Sequence, residues 1–209
     1  KSERIVTNLG AVAFRADLSD IDGMMRAADG CDTTIHSAAF VKVWGNLEEA
    51  RTITVEGTRN VLRVSKDTPS IDRVIHVGTE AGCIPYYDGS ALKNLTEETP
   101  LPERPFPGIY STTKNEAEKV ALSFQDAAGN LDVVSVRPRL IWGRDDTVFL
   151  PSMVEATKSG VLQWFDGGEY YTSTCHVENV VEGIVRAAVS DGHVVGVRPF
   201  FLTDDAPVQ

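Results

Sequence analysis

Arg73-Val74-Ile75-His76-Val77-Gly78-Thr79-Glu80 is the stretch whose reading decides the fold. Its first five residues are a short, mostly β-branched run, which reads as a strand ending at Gly78. Upstream, residues 47–66 carry a long helical pattern with Ala50, Ile53, Val55, Val61, Leu62 and Val64 available for burial. Downstream, residues 110–126 read as a second helix and residues 131–136 as a further strand, stopped by Pro138. Strand and helix alternating in this way mark βαβ units and a parallel sheet with helices on both faces.

The pattern continues on either side. Residues 12–15 and 33–38 read as strands, and residues 21–28 as a short helix ended by Asp29-Gly30. Residues 148–158 and 177–189 read as helices, and 194–202 as a late strand. Residues 82–108 form a loop rich in Pro, Gly and acids, too long for an idle connection. Ligands on such sheets lie beyond the carboxyl ends of the strands. That singles out residues 37–40, 78–81 and 137–143.

The chain has 209 residues and a net charge of −10, which argues against a nucleic-acid backbone as its partner. Three scattered cysteines, Cys31, Cys83 and Cys175, do not make a disulfide framework, and a reducing, cytoplasmic setting fits them. They and the four histidines show no metal-ligand spacing. No apolar run is long enough for a membrane span.

Tyr110 and Lys114 stand four residues apart at the start of a helical run, so they share a face. An ammonium placed there can stabilise a phenolate and lower a tyrosine pKa from its usual value of about 10. Such a tyrosine can move a proton at neutral pH, as carbonyl/alcohol chemistry requires. With five tyrosines and seven lysines in the chain, an incidental pair is also an ordinary outcome. Thr79, at the end of a strand, is a hydroxyl that could hold a substrate oxygen beside Tyr110 or could simply cap a turn.

Several segments, in order, resemble the extended short-chain dehydrogenase/reductase family, also called the NAD-dependent epimerase/dehydratase family, in its 3β-hydroxysteroid dehydrogenase-like branch. They are Ala16-Asp17-Leu18, His36-Ser37-Ala38-Ala39, Val55-Glu56-Gly57-Thr58, Val77-Gly78-Thr79-Glu80, the Tyr110/Lys114 pair, Arg137-Pro138 through Gly143, and His176-Val177-Glu178-Asn179-Val180. The resemblance implies a Rossmann-like, doubly wound α/β fold. Residues 1–143 would be the dinucleotide-binding domain, and residues 144–209 part of a small substrate lobe that returns an element to the main domain. No Gly-x-Gly-x-x-Gly occurs here, so the first βαβ unit is expected to be missing from this sequence.

The resemblance also implies roles. Tyr110 would be the acid/base, Lys114 would lower its pKa and bind the nicotinamide ribose, and Thr79 would orient the substrate oxygen. Asp17 and Leu18 would touch the adenine, Ala38 and Ala39 would line the dinucleotide, and Pro138 would flank the nicotinamide. Thr54 stands where the family usually has an asparagine of the proton relay. The implied activity is NAD(P)-dependent interconversion of a secondary alcohol and a ketone on a steroid-like or other bulky apolar molecule. The resemblance leaves room for a homodimer. NAD and NADP both remain open, with Lys1 and Ser2 near the position that reads the ribose 2′ group. A nucleotide-sugar epimerase and a non-catalytic nucleotide sensor are the alternatives. A dehydratase is disfavoured, because Ala81 lacks a second carboxyl.

Overall fold

The computed structural model describes residues 2–42, 44–86, 95–128, 131–163, 165–169, 172–195 and 198–204. Four parallel strands make the main sheet: β1 (Thr33–His36), β2 (Arg73–Val77), β3 (Asp132–Pro138) and β6 (Pro199–Leu202), in the order β1-β2-β3-β6. Two short parallel strands, β4 (Ile141–Trp142) and β5 (Cys175–His176), pair beside it. The helices are α1 (Ser2–Asn8), α2 (Ile21–Ala28), α3 (Leu47–Arg51), α4 (Gly57–Asp67), α5 (Ile109–Ala128), α6 (Phe149–Lys158), α7 (Val177–Val189) and the single turn α8 (Gly192–Val195).

Strand alternation divides the core in two. Val74 and Val133 point to one face, where they pack with Leu62 of α4 and Ala121 of α5. Ile75, Val134 and Val136 point to the other, against Ala187 of α7 and Val195. Helices therefore cover both faces, and the fold is a Rossmann-like, doubly wound parallel sheet. Because the strands are parallel, all their carboxyl ends share one edge. Among the described residues no helix is long and apolar enough to cross a membrane.

Three expectations need correcting, and one element was not foreseen. Residues 12–15 form no strand: they pair with no neighbouring strand, and Val12 and Phe14 are exposed. A short β-branched run needs a ladder partner to become a strand. The late strand starts only at Pro199, because Gly192–Val195 turns helically first; residues 196–197 lie outside the described set, as do 87–94 of the long loop. Ile53 is exposed, while Thr54 and Val55 are buried. The cause is a π-helical turn, Thr52–Glu56, between α3 and α4. Its wider turn moves the inward face forward relative to a regular helix. The small β4/β5 sheet was not anticipated, since two-residue strands carry no periodic signal.

α5 is joined to β3 by a buried ion pair, Glu118 Oε1 accepting from Arg137 Nε at 2.8 Å with both side chains at most 2% exposed. The same oxygen accepts from Ser135 Oγ at 2.6 Å. Removing one partner strands the other charge in the core. Glu118→Ala is expected to cost about 3–5 kcal/mol of stability, measured by urea denaturation.

Candidate active site

The site is assembled on the carboxyl edge of β1, β2 and β3 by the first turns of α5. Thr79 follows β2 and caps the 3₁₀ turn Glu80–Cys83, its Oγ1 accepting from the Ala81 amide at 3.3 Å. The same side chain hydrogen-bonds Tyr110. The turn-capping reading of Thr79 holds, and the same hydroxyl also meets Tyr110. Lys114 lies one turn further along α5 and is buried, 4% exposed. Its Nζ donates to the carbonyl oxygen of Val77 at 2.6 Å.

The electrostatics differ from the expected tuning of the phenol. Burial holds the Tyr110 pKa above its usual 10, and only the Thr79 hydrogen bond pulls it down. Lys114 is brought down to about 8, chiefly by burial, with the Glu118 carboxylate opposing. The ammonium is thus spent on anchoring the helix to β2, and Tyr110 remains a neutral phenol, suited to giving a proton.

Of the residues expected on the cofactor side, Ala38 and Ala39 follow β1, Pro138 ends β3, and Leu18 lies against α4. Ala38 is exposed and Ala39 half-buried in the segment after β1. Pro138 is buried at the end of β3. Asp17 is exposed, its Oδ1 accepting from the Ser19 amide at 2.7 Å and the Ser19 hydroxyl at 2.6 Å, which holds its pKa below the ordinary carboxylate value. Leu18 is fastened to α4: its carbonyl accepts from Asn60 Nδ2 at 2.9 Å. Its side chain lies so close to Gly57 that an added Cβ would come within 2.5 Å of it.

Thr54 has a definite task. Its hydroxyl accepts the Phe40 amide at 2.9 Å, tying the loop after β1 to the π-helical turn. Thr58, one turn on, meets His36 Nε2 at 3.0 Å, and Ser65 donates to Thr34 Oγ1 at 2.9 Å. One row of hydroxyls therefore fastens β1 and the loop that follows it. Neither Thr58 nor Ser65 was singled out in the sequence, although their spacing from Thr54 puts all three on one helix face.

Other residues were also missed. Asn115 donates to the carbonyls of Gly82 at 2.8 Å and Pro102 at 3.2 Å, and Lys119 to that of Pro102 at 2.7 Å, so α5 clamps both arms of the long loop. Asp204, just after β6, accepts from the His176 amide (2.9 Å), Asn179 (2.7 Å), Trp142 (3.1 Å) and Thr174 (2.9 Å). The His176 amide leads the causes that hold its pKa at about 2. Asp204 joins the small sheet and the start of α7 to the main sheet. Position i+4 from Lys114 could have flagged Glu118, whereas Asp204 has no local signal.

His36 and His76 face each other across β1 and β2, their ring centroids 5.8 Å apart. Burial holds both neutral, His36 at about 4 and His76 well below 6.5, with the Lys114 charge adding to each. A histidine whose folded pKa is depressed destabilises the fold wherever the unfolded chain would take up its proton. Stability is therefore expected to fall as pH drops from about 6.5 towards about 4. Urea midpoints at pH 7 and pH 5 check this, and His36→Asn should flatten part of that slope.

The model of the 3-beta hydroxysteroid dehydrogenase/isomerase family matches residues 2–209. The 4-hydroxy-2-methyl-3-oxo-4-farnesyl-3,4-dihydroquinoline-1-oxide ketoreductase of Stigmatella aurantiaca is 41% identical over 204 residues, 98% of this chain and 58% of that protein. The decarboxylating sterol-4-alpha-carboxylate 3-dehydrogenase of Dictyostelium discoideum is 28% identical over 211 residues, 100% of this chain and 62% of that one. The chain thus spans about three fifths of the length of these relatives (58% and 62%). Among solved structures, UDP-glucuronic acid 4-epimerase from Bacillus cereus in complex with NAD superposes with a TM-score of 0.74 at 17% identity, over 93% of this chain and 60% of that one. The dTDP-glucose 4,6-dehydratase DesIV from Streptomyces venezuelae, with NAD bound, gives 0.73 at 21% identity, over 92% and 58%. At these identities the two structures speak for the fold.

Proposed function

The chain belongs to the 3-beta hydroxysteroid dehydrogenase/isomerase family, and on that premise we propose that the whole protein is an NAD(P)-dependent oxidoreductase that reduces a ketone on a bulky apolar molecule, with Tyr110 as the proton donor. The observation that carries this reading is the Tyr110 phenol, its pKa raised by burial and its hydroxyl hydrogen-bonded to Thr79 at the carboxyl edge of the sheet. The 41% identity to a ketoreductase supports the direction of reaction and the substrate class.

Two features of the residues present fit a dinucleotide. Lys114 is a buried ammonium with three donors, of which the Val77 carbonyl takes one, leaving donors for ribose hydroxyls. Ala38 and Ala39 leave the end of β1 clear of large side chains where a cofactor would approach the backbone. In this reading residues 1–143 hold the dinucleotide, with Asp17 and Leu18 towards the adenine and Pro138 beside the nicotinamide. Residues 144–209 contribute to the substrate side. When bound, NADH or NADPH would supply the hydride.

The chain's own residues supply the rest. Thr79 orients the ketone oxygen, and Tyr110 gives that oxygen its proton as negative charge develops on it. The Thr79 hydrogen bond, which lowers the Tyr110 pKa against burial, favours the phenolate left behind. Thr54 holds the loop after β1 in place by taking the Phe40 amide, a backbone lock instead of the relay amide common in the family. Ala81 gives only its amide, to the Thr79 hydroxyl, which leaves elimination without a second carboxyl.

Tyr110→Phe in the whole protein is expected to lower kcat for ketone reduction by about 10²–10⁴ while NAD(P)H affinity stays within a few-fold. Steady-state kinetics with fluorescence titration of the reduced cofactor checks both. Retained turnover would overturn the role of the phenol. Reduction is also expected to fall as pH rises through about 8, where Lys114 loses its proton.

A further inference from the structure

We propose that the Glu80–Arg139 ion pair makes this site select uncharged ketones over ketones that carry a carboxylate near the reacting carbonyl. The inference rests on the ketone-reduction reading and deepens it. Glu80 directly follows Thr79, whose side chain meets the Tyr110 phenol. Arg139 directly follows Pro138, the last residue of β3. Arg139 Nη1 and Glu80 Oε2 lie 2.6 Å apart, with side chains only 26% and 19% exposed. The pair therefore spans the ends of β2 and β3 on the edge where a ligand of this fold lies. Arg139 also reaches a third segment, donating from Nη2 to Thr172 Oγ1 at 3.2 Å.

The backbone beside the pair is strained. Leu140 sits at φ 32°, a region that disfavours a side-chain-bearing residue, and its carbonyl accepts from the Cys175 amide at 3.4 Å. Arg139 is thus held between Glu80 and Thr172 by a turn that a freely chosen loop would avoid.

A guanidinium already facing a carboxylate offers little net charge to an incoming anion. A substrate carboxylate would have to displace Glu80 or approach its negative charge, and in either case would lose water without gaining an unpaired cation. A neutral ketone meets neither obstacle. Glu80 thus acts by exclusion, which is how many sites separate near-identical ligands.

The test compares a medium-chain 4-oxo acid with its methyl ester, in the whole protein with the reduced cofactor. Two quantities are read: the ratio of kcat/KM values, and the ratio of dissociation constants by calorimetry without turnover. Wild type is expected to favour the ester by about tenfold or more in both. Glu80→Gln, which frees the Arg139 charge, should raise the acid relative to the ester by about tenfold. The double variant Glu80→Gln/Arg139→Gln should restore the ester preference, an outcome that general loosening of the site would not produce. Should Glu80→Gln not fold, Arg139→Gln alone should deepen the discrimination against the acid. Equal use of acid and ester by wild type, or an unchanged ratio in both single variants, would overturn the proposal. Failure to reduce either ketone, with the binding ratios as stated, would overturn the reduction reading and leave this selectivity standing.

Discussion

The docking of the polar face of α5 against β2 and β3 is the constraint on which the rest of this structure depends. Tyr110, Lys114 and Glu118 recur every fourth residue, so one helix face carries a phenol, an ammonium and a carboxylate into the interior. Burying such groups is unfavourable unless each finds a partner. Each does: Thr79 for Tyr110, the Val77 carbonyl for Lys114, and Ser135 with Arg137 for Glu118. A slide of the helix by one turn would strand two charges in the core. The register of α5 on the sheet, and with it the position of the phenol, is thereby specified far more sharply than apolar packing alone would do.

The same logic extends outward from that helix. Asn115 and Lys119 bond the carbonyls of Gly82 and Pro102, holding the two arms of the long loop to α5. The row Thr54, Thr58 and Ser65 fixes β1 and the segment that follows it. Asp204 gathers four donors from the C-terminal segments. The apolar clusters supply the bulk of the burial, but the polar fasteners decide where each loop at the carboxyl edge sits. The candidate site residues lie on or beside those loops, so the polar contacts are the ones that position them.

Much of this architecture was legible in the residues. Strands β1, β2 and β3, helices α2, α5 and α7, and the long helix before β2 follow from apolar periodicity and from stops such as Asp29-Gly30 and Pro138. The candidate site was legible as a set of positions at strand ends. It was not legible as a set of contacts. The π-helical turn at Thr52–Glu56 shifts the buried face by one position, and no periodic pattern announces such a shift in advance. Residues 12–15 have strand-like composition but no ladder partner, and composition without a partner does not make a strand.

By itself, the sequence determined the class of fold and the order of its longer strands and helices. Those properties follow from side-chain periods of two and 3.6 and from the backbone limits of glycine and proline. Tertiary structure alone decided what each polar group meets. Lys114 pairs with a carbonyl 37 positions away, Thr54 with an amide 14 positions away, and Trp142 with a carboxylate 62 positions away. Such partners are chosen by distance after packing, when burial makes an unpaired donor or charge too costly to leave. No local pattern along the chain records that choice.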